Sequence, residues 1–332
     1  MAQRIFSGIQ PSGEVHIGNY VGALRNWARL MSQYDCVYAL VDYHAITIPY
    51  EPAEMQHRLG EAAVAVLAAG VDPARAILFV QSEVPEHTEL AWILGTLTTI
   101  GALERMTQYK EKAEQQQNQV LGLFAYPVLQ AADILLYKGE VVPVGEDQVQ
   151  HLELSREIAR KFNAAFGPVF PEPQHLLTQT PRIMGVDGKT KMSKSRGNTI
   201  AMLDTPAASW EKLRTAVTDE NRKRRSDPGN PDVCNVFTMH KAFSPAADIA
   251  RVDRECRSAE IGCVDCKKLL HQHMTAELDP VRERADTLVR HPERVREILA
   301  DGARRALAIA RPVMAEVRQA MGLRAGNGAG AL

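Results

Sequence analysis

The order of its apolar segments predicts an α/β fold: a doubly wound parallel sheet followed by a smaller all-helical domain. Three observations carry this. Short apolar runs recur through the first half, at residues 5–9, 36–41, 76–80 and 141–144. Between them the apolar residues return at helical spacing, as in Ile17, Tyr20, Val21, Leu24, Trp27 and Leu30, and in Met55, Leu59, Ala62, Ala63, Val66 and Leu67 ahead of Gly70. Beyond Pro206 the strand pattern stops, and helical segments rich in Arg and Glu take over. Strands alternating with helices argue for a mostly parallel sheet, and such sheets bind ligands beyond the carboxyl ends of their strands.

Each element has its local reason. Residues 5–9 end in turn formers, and the helix after them begins near Ile17. A further helix is expected over 147–166, directly after the 141–144 strand. The helices expected over 292–321 close the chain. The division expected is 1–199 for the sheet domain, 200–285 for the helical domain, 286–325 for helices that pack back on the first domain, and 326–332 for a frayed, small-residue tail. An apolar fraction of 45% is enough for a core, so disorder is excluded as the reading. A net charge of −1 gives no global pull on nucleic acid, so RNA contact must use local basic patches. The N-terminus lacks a charged-then-apolar signal pattern, and no apolar run reaches membrane length, so a cytoplasmic protein with no membrane partner is expected.

Two stretches carry the chemistry. The first is Pro11-Ser12-Gly13-Glu14-Val15-His16-Ile17-Gly18-Asn19, a turn between strand and helix. A helix start presents unpaired N–H groups and partial positive charge, so it suits phosphate. Gly18 allows a base or ribose close to the backbone, and His16 and Asn19 can donate to phosphate oxygens. The second is Lys191-Met192-Ser193-Lys194-Ser195, preceded by Gly185-Val186-Asp187-Gly188-Lys189-Thr190. Such a loop can close over a polyphosphate, its two ammonium groups neutralising charge on the leaving group. Gly145, Glu146 and Asp147 form a turn after a strand, suited to ribose hydroxyls; Asp147 is equally placed to cap the next helix.

Asp133 stands inside the apolar run Leu129-Gln130-Ala131-Ala132-Asp133-Ile134-Leu135-Leu136-Tyr137. A buried acid needs a partner. A ligand N–H that can only donate is one; a helix cap or an internal ion pair is the other reading.

With its HIGN and KMSKS stretches, the chain resembles the class I aminoacyl-tRNA synthetases, and closely the bacterial tryptophanyl branch. The likeness runs almost end to end, through Ser7-Gly8-Ile9-Gln10-Pro11-Ser12-Gly13, Val41-Asp42-Tyr43-His44-Ala45-Ile46-Thr47, Ala131-Ala132-Asp133-Ile134-Leu135 and Val144-Gly145-Glu146-Asp147-Gln148. It implies a Rossmann-like catalytic domain and a helical domain that docks the anticodon. It implies activation of L-tryptophan by ATP with Mg2+, then transfer to the terminal 2′-hydroxyl of tRNA(Trp), by a homodimer. His16, Asn19, Lys191 and Lys194 would be catalytic. Gln10, Pro11, Ser12, Gly18, Gly145, Glu146, Asp147, Ile183, Met192, Ser193 and Ser195 would complete the ATP site. Asp133 would read the indole, Phe6, His44, Val142 and Val144 would line its slot, and Tyr126 and Gln148 would hold the ammonium and carboxylate. Gln130 departs from the Met expected by that resemblance, which puts this part of the wall in question.

Four of the five cysteines, Cys234, Cys256, Cys263 and Cys266, fall in the helical domain with gaps of 21, 6 and 2 residues. Clustered thiols in a reducing setting point to metal, either zinc or an iron–sulfur cluster, with free thiols as the alternative. A subset of the tryptophanyl branch carries a 4Fe-4S cluster on a very similar spacing, with one more residue in the first gap, and the resemblance implies one here. The basic run Arg222-Lys223-Arg224-Arg225, the series Arg304, Arg311 and Arg318, and Lys267, Lys268 and His271 are candidate RNA contacts; a solvated face with Glu partners is the alternative. Competing functions are a tyrosine-activating relative, a non-catalytic paralogue acting as an RNA-binding or redox-responsive regulator, and a small nucleotidyltransferase with a similar HxGH turn.

Overall fold

The computed structural model describes residues 2–107, 120–177, 183–193 and 196–324, and for Asp147 the backbone alone. Lys194, Ser195, the Asp147 carboxylate and the 326–332 tail lie outside the described residues. Five strands, β1 (Arg4–Ile9), β2 (Asp35–Leu40), β3 (Ala76–Val80), β4 (Val141–Val144) and β5 (Gln174–Leu177), form one parallel sheet among the described residues. Their order is β3-β2-β1-β4-β5. Sequence order reverses at β1, which is the position where such sheets open a crevice for ligands.

Four of these strands follow from their apolar runs. β5 does not: it is an edge strand whose residues are exposed or half-buried, so it carries no run of apolar residues to mark it. Alternation along the others separates two apolar layers. Ile5, Cys36, Tyr38, Leu40, Ala76, Leu78 and Val80 face one side, and Phe6, Val37, Ala39, Ile77 and Phe79 face the other.

The first side is covered by α1 (Ile17–Asn19), a π-helical turn over Tyr20–Leu24, α2 (Arg25–Leu30) and α4 (Pro52–Ala68), after the short α3 (Asp42–Ala45). The second side is covered by α5 (Glu86–Gly95) and α7 (Leu121–Leu136), with the short α6 (Ile100–Glu104) between them, and by α8 (Val149–Phe166). The helical portion comprises α9 (Pro206–Arg214), α10 (Asn235–Phe243), α11 (Ala246–Arg257) and the long α12 (Cys263–Arg290).

α13 (Pro292–Ala320) returns to the sheet and lies on β3. A side chain at Gly302 would meet the Leu78 carbonyl oxygen at 1.8 Å, so only glycine lets the helix approach this closely. Arg305 fastens the contact by donating to the carbonyls of Pro73 and Ala76. α12 is tied to the start of the chain as well. Its Glu277 accepts from the Tyr20 hydroxyl at 3.0 Å and from Arg25 at 3.1 Å.

Candidate active site

A cavity of about 330 Å³ opens at the switch point between β1 and β4. All seven residues of the expected tryptophan slot, Phe6, His44, Tyr126, Asp133, Val142, Val144 and Gln148, line it, as do Gln10, Gly145 and Gln130. They converge because β1 and β4 supply Phe6, Val142 and Val144, the segments beyond the carboxyl ends of β1, β2 and β4 supply Gln10, His44, Gly145 and Gln148, and α7 supplies the rest. There Tyr126, Gln130 and Asp133 recur at spacings of four and three. The π-helical turn brings Gly22 and Ala23, with Asn26 just after it, into the lining. Single π turns are frequent at functional sites.

Asp133 is 1% exposed. Its Oδ2 lies 2.8 Å from His44 Nε2, and its Oδ1 lies 2.6 Å from His87 Nδ1 and 2.7 Å from Gln81 Nε2. Burial by itself would push this carboxyl up. The His87 and His44 rings beside it more than offset that and hold it well below the usual carboxylate range. The acid is therefore ionised and only accepts, so the imidazole nitrogens facing it carry protons. His87 Nε2 meets the Tyr137 hydroxyl at 2.8 Å. Burial, then the Asp133 charge, push the Tyr137 phenol well above its ordinary value, so it keeps its proton. Of the two sequence readings of Asp133, the internal network is present, and the residue also lines the cavity. Tyr126 is held in turn by His151, whose Nε2 is 2.8 Å from its hydroxyl.

His16 caps α1. Its Nδ1 accepts from the Asn19 N–H at 3.3 Å, and the Asn19 carboxamide oxygen accepts from the His16 N–H at 3.3 Å. A ring that accepts at Nδ1 carries its proton on Nε2, so that nitrogen is the donor. Half-burial lowers the His16 pKa and favours the neutral ring. A Cβ at Gly18 would stand 3.0 Å from the imidazole and crowd the ring.

The chain after the KMSKS stretch pairs directly with this turn. His16 bridges Ala201 in antiparallel fashion, Ile17 N–H donates to the Ile200 carbonyl at 3.0 Å, and Met202 N–H donates to the Val15 carbonyl at 2.9 Å. Within the loop, Met184 bridges Lys191, while Ile183 and Met192 are buried. The buried Asn198 clasps it. Its Nδ2 donates to Asp187 Oδ2 at 2.9 Å, to Thr190 Oγ1 at 3.0 Å and to the Lys191 carbonyl at 3.2 Å, and its Oδ1 accepts from the Ser193 N–H at 2.8 Å. His16, Asn19, Pro11, Ser12, Gly18, Glu146, Ile183, Lys191, Met192 and Ser193 stand outside the cavity lining.

Sequence reading missed Gln81, His87, Tyr137 and Asn198. His87 had a signal: it is in phase with Leu90 and Leu94, which places an imidazole on the buried stripe of α5. Asn198 had none.

Several basic candidates turn inward. Arg222 Nη1 is 3.8 Å from both Cys256 and Cys263 Sγ, because Nη2 is anchored on the Arg225 and Ile261 carbonyls. Lys267 is buried and donates to the Arg214 carbonyl. Arg311 and Arg318 pair with Glu86 and Glu89 of α5, and His271 lies against Ser209 and the Pro206 carbonyl. These residues have the intramolecular partners of the alternative reading, with Glu side chains in the cases of Arg311 and Arg318. The four cysteines gather at the Cys234 turn, the end of α11 and the first turn of α12. Burial, followed by the neighbouring thiols, pushes Cys266 up to about 12. Among the described residues no group of three or more Cys, His, Asp or Glu is arranged to hold a metal ion.

The family model for class I tRNA synthetases of tryptophan and tyrosine matches residues 2–279. A tryptophan–tRNA ligase of Deinococcus radiodurans is 53% identical over 324 residues, covering 96% of this chain and 98% of that one. One of Thermotoga maritima is 43% identical, covering 96% and 99%. The crystal structure of the tryptophanyl-tRNA synthetase of Campylobacter jejuni with ADP and tryptophan superposes with a TM-score of 0.85 at 34% identity, covering 97% of this chain and 100% of that one. The chain belongs to the class I tRNA synthetases. Within that family it falls in the bacterial tryptophanyl branch.

Proposed function

We propose that this chain activates L-tryptophan with ATP and then transfers it to tRNA(Trp). The function is that of a tryptophan–tRNA ligase, and the observation that carries it is Asp133: a buried, ionised acceptor lining a cavity at the switch point of a parallel sheet. An indole N–H satisfies it, whereas a phenyl ring leaves it unpaired, a difference that reaches about 10⁴-fold in such sites.

The tryptophan carboxylate attacks the α-phosphorus of ATP, and pyrophosphate leaves. This step asks for alignment and charge stabilisation rather than a covalent nucleophile. His16 Nε2–H and the Asn19 side chain donate to phosphate oxygens. Lys191 and Lys194 neutralise the leaving group, with Met192, Ser193 and Ser195 shaping the loop. Gln10, Pro11, Ser12 and Gly18 border the nucleotide, Gly145, Glu146 and Asp147 take the ribose, and the Ile183 backbone supports adenine. Tyr126 and Gln148 orient the substrate ammonium and carboxylate. Mg2+ accompanies the phosphates. The terminal 2′-hydroxyl of the tRNA then takes the acyl group and AMP departs. ATP–pyrophosphate exchange with tryptophan and tyrosine in parallel tests this: exchange with tryptophan alone is expected, and exchange with tyrosine or with neither refutes it.

Residues 1–199 serve as the catalytic domain, 200–285 as the anticodon-binding domain, and 286–325 as the returning helices. No helix among the described residues is long and apolar enough to cross a membrane, in keeping with work in the cytoplasm. Exposed Trp92, Ile100 and Leu121 stand on the neighbouring helices α5, α6 and α7, an apolar face that suits a homodimer.

The cysteine set is read as the seat of a 4Fe-4S cluster, with zinc as the alternative. Cys234, Cys256, Cys263 and Cys266 would hold it. What supports the reading is that the thiols are neighbours: burial, together with the nearby thiols, raises Cys234, Cys256 and Cys266. A bound cluster would supply the positive charge that draws off the protons of clustered, largely half-buried thiols. Anaerobic purification with an iron assay and visible spectrum tests this; a colourless protein with stoichiometric zinc refutes it.

A further inference from the structure

Asp133 lies at the centre of a buried chain of hydrogen bonds that extends well behind the cavity. An ionised carboxylate offers about four lone-pair sites. His87 Nδ1 and Gln81 Nε2 occupy both sites on Oδ1, and His44 Nε2 occupies one on Oδ2. One acceptor site is left, on the oxygen that His44, itself part of the cavity wall, flanks. A single N–H donor completes the set.

We infer that His87, braced by Tyr137, is a positioning residue for tryptophan selection: it fixes the rotation of the Asp133 carboxylate so that this last acceptor site meets the indole slot. The inference rests on the tryptophan reading above.

His87 is fully buried and does not line the cavity, so it touches no substrate. Its reach to Asp133 is shorter than that of the other two donors. Its ring is sandwiched by chemistry on both nitrogens. Nδ1–H donates to the carboxylate, and Nε2 shares a hydrogen bond with the Tyr137 hydroxyl, which holds the ring's orientation much as a third group does in catalytic triads. Phe79 stacks on the imidazole with centroids 5.8 Å apart. Tyr137 also stacks on Phe6, centroids 5.4 Å apart and planes 4° apart, and Phe6 is a wall of the slot. One phenol therefore aligns both the apolar wall and the acceptor that reads the N–H. α5 exists in position to do this because it packs along α7, bringing His87 of its first turn opposite Asp133.

The test compares ATP–pyrophosphate exchange with L-tryptophan and with its isostere β-(benzothiophen-3-yl)-L-alanine, which carries sulfur where tryptophan carries N–H. The parent chain, H87L, H87N and Y137F are measured, with thermal midpoints recorded. Asparagine returns an N–H near the position of Nδ1. H87L is expected to lower the tryptophan preference about tenfold or more, through KM for tryptophan rather than kcat, with little change for the isostere. H87N is expected to recover most of it, and Y137F to lose about threefold to fivefold. A merely structural role would weaken both substrates alike. A Y137F ratio within twofold of the parent's, or an H87L ratio so unchanged while its midpoint falls, overturns the inference and leaves the ligase reading standing. A parent chain that exchanges with neither substrate overturns the ligase reading, and this inference with it.

Discussion

Replacing Asn198 by alanine separates loop geometry from substrate binding. The carboxamide makes four hydrogen bonds, to Asp187, Thr190, the Lys191 carbonyl and the Ser193 N–H. The two N–H groups are shared among three acceptors, so at about 1 kcal/mol net per N–H and for the oxygen the clasp contributes about 3 kcal/mol. Asp187 and Thr190 are half-exposed and regain water when the clasp is lost, which returns about a third of that. About 2 kcal/mol of loop ordering remains, or roughly 30-fold in kcat if the loop must be set before charge builds on the leaving group. Asn198 is absent from the cavity lining, so KM for tryptophan should hold. The assay is pyrophosphate exchange with tryptophan and ATP varied separately. N198A with kcat within threefold of the parent, or with the whole loss in KM for tryptophan, would refute the reasoning. Gly185→Ala should behave similarly, because its new methyl would meet Asn198 Nδ2 at 2.1 Å.

Other outcomes are expected. Asp133→Asn keeps the shape but removes the charge and sets an N–H against one of three donors; a loss of about 2–4 kcal/mol, roughly 30-fold to 10³ in kcat/KM for tryptophan, should follow in the exchange assay. Gly302→Ala should lower stability by about 3 kcal/mol, read as an earlier guanidinium midpoint, with kcat in buffer near that of the parent; an unchanged midpoint would contradict the close approach of α13 to Leu78. The pH profile of exchange should keep its plateau to below pH 6.5, because burial lowers the His16 pKa from 6.5. The neutral ring is the native form and the unfolded chain binds more protons near pH 6. The stability from this group is therefore full above pH 6.5 and falls as pH drops through the depressed native value. Protonation also takes Nδ1 away from the Asn19 N–H, so the cap and the donor geometry fail together; an acid limb centred above pH 6.5 would count against this.

Most of the sheet was readable from the chain alone, since the apolar runs of β1 to β4 and the helical spacing in α2 and α4 are local properties. β5 was not, because an exposed edge strand has no apolar run. The members of the candidate site were readable through the HIGN and KMSKS stretches and through an acid set in an apolar run. Their arrangement was not. Asp133 takes its partners from positions 89, 52 and 46 residues away, and Asn198 closes on a loop that no periodicity announces.

The same division explains the basic residues. Arg311 and Arg318 form a regular stripe, and so do solvated faces and RNA-binding faces; only the packing of α13 beside α5 directs them to Glu86 and Glu89. Arg222 belongs to a basic run, yet two backbone carbonyls turn it toward cysteines. Spacing within a segment determined which elements form and which chemistry is present, because those depend on neighbours within a turn or a pleat. Tertiary structure alone decided which donor meets which acceptor, because a buried charge is satisfied by whatever group the packing of distant segments carries to within about 3 Å of it.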